Sequence, residues 1–337
     1  MIRDAEVLDE GFVPNDLQHR DAELTHLESV LRPFADGAPG QSVIITGPTG
    51  AGKTVTAKYV IEQLTDAAPA VQSIHLNCWR SHTQFRAFYR ILDELGLATD
   101  IHRGSTPHDE LISRLEAYDG NPVVVVLDEA DQLDSTDIFY DLHSLPKFAQ
   151  LIVANDRDQL FGRLNSRLQS RLQSGEHVTM SRYPPDELVS ILSVRVRWGL
   201  ETGAVSQDIL ERIADAAAGD ARVALGMLRR AANYAVREQR DEITFEVLEA
   251  AMPDARAQIR QRNVDALNDH QRAVLDTVRA YGPLSPQEIY DHYEQQMDDP
   301  NQLRTVKSYL SKLTEYRLIE AEGSTRDRVY RSVKSTE

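Results

Sequence analysis

The chain has 337 residues, 53 Asp plus Glu against 37 Lys plus Arg, a net charge of −16 and a single cysteine, Cys78. That length predicts two or three domains, and a lone cysteine excludes an internal disulfide and fits a reducing, cytoplasmic setting. No apolar run approaches the roughly 20 residues of a spanning helix, and Asp4, Glu6, Asp9, Glu10 and Asp16 near the start do not read as a signal peptide, so no membrane partner is expected.

In chain order, residues 1–41 hold Val13-Pro14, His19-Arg20 and a helical pattern of Leu24, Leu27, Val30 and Leu31 that stops at the 37–40 loop. The apolar run Val43-Ile44-Ile45 reads as a buried strand. It runs into Gly47-Pro48-Thr49-Gly50-Ala51-Gly52-Lys53-Thr54, which matches G-x-x-x-x-G-K-[ST] at every fixed position. Glycines let such a loop turn its N–H groups inward, and the following helix adds its positive end, so an anion is expected there. Lys53 would reach the β- and γ-phosphates of ATP, or the β-phosphate of ADP, and the Thr54 hydroxyl would hold Mg2+.

A helix over 54–64, a strand over 71–76, helices over 83–95 and 108–118, the apolar strand 123–127, a strand over 148–153 and an Arg-studded helix over 160–172 follow. The alternation predicts a doubly wound parallel sheet with its ligand at the strands' C-terminal ends. Strand 123–127 ends in Asp128-Glu129-Ala130-Asp131. In a P-loop ATPase the first acid steadies magnesium and the second orients and deprotonates water, roles assigned to Asp128 and Glu129; Asp131 reads as a helix cap.

Beyond Arg182 the pattern is helical: 185–198, 206–217, 220–237 and 244–251 read as a small bundle, followed by a polar helical connector over 254–263. Three helices (269–279, 285–295, 301–316) and a hairpin (318–322 and 328–333, turned at Gly323-Ser324) end the chain. The expected division is a nucleotide-binding domain over 1–182, an all-helical lid over 183–260 and a winged helix over 261–337.

The order of these motifs resembles AAA+ ATPases, and more narrowly the archaeal replication initiators of the origin recognition complex and cell division control (Orc/Cdc) family. The resemblance runs over nearly the whole chain. Val13-Pro14 with His19-Arg20 resembles the family's adenine-side motif, Leu76-Asn77-Cys78 the end of its second strand, and Asp128-Glu129-Ala130-Asp131 its acidic box. The resemblance implies that Asn155 is the first sensor, which positions water. It also implies that Arg222, in Gly219-Asp220-Ala221-Arg222, is the second sensor reaching the γ-phosphate from the lid, and that Arg167 acts in trans. Arg163 and Arg171 remain alternatives for that last role, as does a solvated or salt-bridged face. Residues 134–149 look shorter than is usual in the family, which leaves a divergent paralogue open.

In residues 301–337 the cations Arg304, Lys307, Lys312, Arg317, Arg326, Arg328, Arg331 and Lys334 outnumber the acids, against the average of the chain. On the helix over 301–316, Leu303, Val306, Leu310 and Leu313 form one face. Arg304, Lys307, Ser308 and Ser311 form another, as in a recognition helix entering a major groove. Arg326 and Arg328 would touch a phosphate or minor groove. A winged helix used for protein contacts is the alternative. The family insertion would fall within 101–118, with Arg103 as a second DNA contact.

The resemblance therefore implies origin-bound double-stranded DNA, a replicative helicase and self-association on DNA as partners, with slow ATP hydrolysis as a switch. A signalling or transposition-type ATPase with the same core is the other reading. Only six lysines among so many acids resemble the protein style of salt-loving archaea.

Overall fold

Five strands, β1 (Ser42–Thr46), β2 (Gln72–Asn77), β3 (Val123–Asp128), β4 (Phe148–Ala154) and β5 (Glu176–Thr179), pair in parallel in the order β2-β3-β4-β1-β5. The computed structural model describes residues 1–102, 106–173, 175–265, 267–297, 300–323 and 328–333, with the side chains of 253–260, 262, 265 and 315 set aside. Its contacts divide it into two units, Met1–Thr244 and Phe245–Glu337.

Every residue of β1, β3 and β4 is buried, as continuous Val/Ile runs demand when both sheet faces are covered. Alternate residues serve opposite faces. Val43, Ile45, Val124, Val126, Leu151 and Val153 pack with α1 (Asp21–Ala35) and α2 (Lys53–Ala67). On the other face Ile44, Val125, Leu127 and Ile152 pack with α3 (Gln84–Glu94), α4 (His108–Glu116), α5 (Asp137–Ser144), α6 (Arg157–Arg163) and α7 (Ser166–Gln173).

The lid helices α8 (Pro185–Gly199), α9 (Gln207–Ala217) and α10 (Ala221–Arg237) complete the first unit. The N-terminal strap runs along α8 rather than along the sheet. Arg3 and Asp4 both donate backbone N–H to Gly199 O (2.9 and 3.2 Å), Glu201 N–H donates to Met1 O at 2.9 Å, and Ile2 bridges Leu200.

In the second unit, α11 (Phe245–Asp265) precedes α12 (Asp269–Tyr281), α13 (Pro286–Gln296), α14 (Leu303–Glu315) and the antiparallel pair β6 (Ile319–Glu322) and β7 (Val329–Ser332). Capping boxes start α12 (Asn268 with Gln271) and α13 (Ser285 with Glu288). Leu275, Val278, Ile289, Tyr293, Val306, Leu310 and Leu313 form its interior. Three helices and a hairpin make this a winged helix.

Three local expectations are corrected and two elements were not anticipated. The helix expected over 160–172 is two, because Leu164 is extended and the Asn165 carboxamide accepts from Leu168 N–H at 2.9 Å, starting α7 afresh. Helix α5 lies in a stretch to which no element was assigned, and β5 is a four-residue edge strand with no apolar run to betray it. The segment over 244–251 and the polar connector are one helix, α11. Asp131 is no helix cap; it sits inside a 3-10 turn, Ala130–Gln132, entered from Glu129.

Candidate nucleotide site and nucleic-acid face

The phosphate loop joins β1 to α2 at the C-terminal edge of the sheet. Gly50 (φ +79°) and Gly52 (φ +90°) occupy left-handed backbone, and both are crowded from the lid side. A Cβ on Gly50 would lie 2.0 Å from Asp220 Oδ1, and one on Gly52 would lie 2.5 Å from Tyr183 Oη. Between them Ala51 is fully buried, and Thr49 is 8% exposed. Lys53 Nζ donates to Gly47 O (2.6 Å) and Pro48 O (2.9 Å), which holds the cation under the loop. The Gly47 N–H donates to Asn155 O at 3.3 Å, so the residue just after β4 braces the loop's entry.

Thr54, in the first turn of α2, donates its hydroxyl to Asp128 Oδ1 at 3.1 Å. Asp128 is 5% exposed. Burial and the neighbouring Glu129 charge push its carboxyl up to about 6, against the Thr54 hydrogen bond and the Lys53 charge. This pair of hard oxygen donors fits a magnesium ion shared with phosphates.

Glu129 adopts φ +58°, gives its N–H to Asp128 Oδ1 (3.1 Å) and takes a 2.6 Å hydrogen bond on Oε2 from the Trp79 indole. Asp131 accepts from Asn155 Nδ2 at 3.3 Å and from Gln132 at 2.9 Å. His75 Nε2 lies 3.6 Å from Asp128 Oδ2; burial, then the Lys58 charge, lowers its pKa to about 4. Cys78 is fully buried beneath these acids, and burial followed by the charges of Asp128, Asp131 and Glu129 pushes its thiol up.

The lid meets the loop directly. The Ala221 N–H donates to Gly50 O at 3.1 Å, while Asp220 caps α10 by accepting from Val223 N–H at 3.1 Å. Arg222 is half-buried in the first turn of α10. Arg20 joins loop and lid. It is 6% exposed and donates from Nη2 to Ala51 O (2.8 Å) and Ser181 O (2.9 Å) and from Nε to Tyr183 Oη (3.1 Å). Val13 and Pro14 are half-buried on the strap, between Phe12, whose carbonyl accepts from Arg195 of α8 (3.0 Å), and Asn15, whose carbonyl accepts from Tyr59 of α2 (3.3 Å).

The three candidate trans-acting arginines separate. Arg163 is committed within its own chain: it donates to the carbonyls of Asp131 (2.6 Å), Leu133 and Asp134, pinning the turn after the acids. Arg167 is exposed and Arg171 half-buried, and both stack on the ring of Tyr140, at 5.2 and 4.8 Å.

On the winged helix, α14 buries Val306, Leu310 and Leu313 and exposes Arg304 and Lys307, with Ser308 and Ser311 half-buried. Arg328 is exposed before β7. Two of the cations of 301–337 are engaged within this unit. Arg331 is spent inside the hairpin on Glu320 (2.8 Å) and Glu322 (2.7 Å), and Lys312 is 4% exposed with its ammonium 4.6 Å over the Tyr316 ring. Arg103, Arg326 and Lys334 lie outside the described residues, as does Ser324 of the expected hairpin turn.

Trp79, Tyr183 and Arg195 carry contacts at this site that no sequence pattern marked. Trp79 gave one faint signal, its place just beyond the strand end Leu76-Asn77-Cys78.

Comparison with known proteins identifies the arrangement. The AAA ATPase domain family matches residues 16–178, and the Cdc6 AAA+ ATPase-type lid domain matches 189–252. The chain is similar to ORC1-type DNA replication protein 9 of Halobacterium salinarum, 54% identical over 336 residues covering 100% of this chain and 95% of the relative. It is 42% identical to ORC1-type DNA replication protein 1 of the same organism, covering 91% of this chain and 100% of that one. Among solved structures it resembles the Aeropyrum pernix ORC1 protein in complex with DNA, with a TM-score of 0.73, 25% identity, and 98% and 93% of the two chains covered. The salt-loving source of the two curated relatives fits the acidic, lysine-poor composition. Among the described residues no helix is long and apolar enough to cross a membrane. The chain belongs to the ORC1-type DNA replication proteins, AAA+ ATPases with a Cdc6-type lid.

Proposed function

We propose that this chain is an ATP-switched initiator that binds origin DNA through its winged helix and helps to load a replicative helicase. The observation that carries the switch is the hydrogen bond from Ala221, at the start of lid helix α10, to Gly50 of the phosphate loop. A lid bonded to the loop is placed to respond to what the loop holds. The working division is a nucleotide-binding base over 1–182, a lid over 183–260 and a winged helix over 261–337.

In this reading Val13 and Pro14 face the adenine. The loop residues Gly47, Pro48, Thr49, Gly50, Ala51 and Gly52 present N–H groups and shape to the phosphates, with Lys53 supplying charge. Thr54 and Asp128 hold Mg2+, which neutralises phosphate charge when bound. Glu129 takes the proton of the attacking water, Asn155 orients that water, and Arg222 steadies the γ-phosphate from the lid. Arg167, stacked with Arg171 on Tyr140, serves a neighbouring copy on DNA. Turnover is slow, because the geometry is completed only when lid, nucleotide and neighbour meet.

Arg304, Lys307, Ser308 and Ser311 of α14 read the major groove, and Arg326 and Arg328 touch the backbone or minor groove. The Aeropyrum ORC1 structure, solved with DNA, supports this use of the fold. Phosphate contacts weaken steeply as salt rises, so in a salt-rich cytosol binding rests more on base edges and DNA shape.

The test is a footprint of full-length protein on chromosomal fragments from its own genome, in roughly molar KCl with ATP. Protection of a discrete repeated site near a replication gene, lost in Arg304→Ala/Lys307→Ala, is expected. Protection of promoters or transposon ends alone would turn the reading into that of a regulatory ATPase.

A further inference from the structure

Arg195 of the lid helix α8 carries a charge into the protein interior, 5% exposed, and spends it on the backbone of the strap. Its Nη1 donates to Val7 O and its Nη2 to Phe12 O, both at 3.0 Å, and the guanidinium lies 4.8 Å over the Phe12 ring. Burial pushes its pKa down to about 10 against the opposing charge of Asp9, so this cation was desolvated to make these bonds. The strap is further stapled to the lid by an Arg229–Asp9 ion pair at 2.7 Å and by the Arg3 and Asp4 bonds to Gly199 O. A Cβ on Gly199 would lie 2.9 Å from Leu8 Cδ2, so the two run in close contact.

Phe12, next to Val13, is held by lid helix α8. On the other side of Val13 and Pro14, the Asn15 carbonyl accepts from Tyr59 Oη at 3.3 Å. Tyr59 lies six residues beyond Lys53 on α2, about 9 Å along the axis. That separation suits a nucleotide whose outer phosphates lie at Lys53 and whose base reaches the strap. Val13 and Pro14 thus bridge two anchors, one on lid helix α8 and one on α2, and the fixed φ of Pro14 leaves the bridge little slack.

We propose that Arg195 is a positioning residue for nucleobase recognition: by tying Phe12 to the lid it makes the Val13–Pro14 wall part of the lid, so the wall forms only with the lid seated. This rests on the reading that Val13 and Pro14 face the base. Selectivity for the base then belongs to the lid, whereas affinity for the phosphates belongs to the loop and Lys53. Slackening the tether should damage the first and spare the second.

The experiment measures equilibrium binding of ATP, GTP and inorganic tripolyphosphate to the full-length protein in Mg2+ and KCl. Arg195→Met is expected to weaken ATP by roughly tenfold or more and to narrow its margin over GTP, with tripolyphosphate unchanged within about twofold. Arg195→Lys keeps the charge and loses the two-pronged fork, and should fall between. An Arg195→Met protein with the wild-type ratio of ATP to tripolyphosphate affinity overturns the proposal. Should that variant fail to fold, as judged by circular dichroism, Phe12→Leu removes only the stacked ring. It should shift the ratio in the same sense by about threefold, and an unchanged ratio there also overturns the proposal. Val13→Ala and Pro14→Gly separate the two ideas. If they lose base selectivity while Arg195→Met and Phe12→Leu keep it, the tether is wrong and the wall stands; if all four keep it, both fall.

Discussion

Replacing Arg20 by methionine removes a buried cation that joins three parts of the nucleotide site. Its guanidinium holds Ala51 O of the phosphate loop, Ser181 O at the entry to the lid and the Tyr183 hydroxyl, with Glu23 on the remaining nitrogen at 2.9 Å. It also lies 4.1 Å over the Tyr183 ring. Two carbonyls and a phenol left without this donor cost about 1–3 kcal/mol each before relaxation, and the lost cation–π contact about 1 kcal/mol. With partial relaxation the net loss is about 3–5 kcal/mol, a large share of the roughly 5–15 kcal/mol that stabilises a typical domain. For a unit of this size that is a fall in Tm of roughly 10 °C. Arg20→Lys reaches fewer of the acceptors and should fall between wild type and Arg20→Met, and Tyr183→Phe should cost about 1 kcal/mol. Melting curves of the full chain in matched KCl measure all three. An Arg20→Met protein melting within about 2 °C of wild type would refute the clamp.

Three further outcomes follow from the site. Trp79→Phe keeps a buried ring but removes the N–H that occupies Glu129 Oε2; hydrolysis at saturating ATP should rise by roughly tenfold with ATP affinity unchanged, and an equal or lower rate would contradict the assignment. Cys78, buried and surrounded by carboxylates, should resist a thiol reagent at pH 8 in the native protein and react once in denaturant; immediate native labelling would show that the strand end is open. Burial, then the Lys58 charge, lowers the His75 pKa in the folded protein to about 4 from its ordinary 6.5. Between these values the unfolded chain takes up a proton that the folded one refuses, so His75 costs stability as pH falls through that window. The melting temperature of His75→Asn minus that of wild type should therefore grow from about pH 6.5 to about pH 4. A flat difference would mean that His75 titrates normally.

Much of the candidate nucleotide site was legible because its pattern is local. The phosphate loop needs glycines and a lysine at fixed spacing, and strand β3 is so apolar that the acids ending it stand out. The division of α14 into a buried apolar face and a polar one was legible as well, since a helix sorts its residues by period. Edge strand β5 and helix α5 were not, because four residues without an apolar run and a short helix inside an unassigned stretch give periodicity too little to work on. The break at Asn165 rests on one carboxamide, which the sequence offers equally to solvent. Which arginines are available was decided only in three dimensions: Arg163 is taken by carbonyls and Arg331 by two glutamates, pairings that depend on how β3, α6 and the hairpin lie. The same holds for Trp79 on Glu129, Arg20 on Tyr183 and Arg195 on the strap, partners 50, 163 and 183 or more residues apart. Hydrophobic patterning says that β1, β3 and β4 are buried, but near-identical Val/Ile runs do not say which lie side by side. Only the order β2-β3-β4-β1-β5 brings the acids at the end of β3 and Asn155 just after β4 to the phosphate loop, and the chain leaving β5 then brings Ser181 and Tyr183 to Arg20.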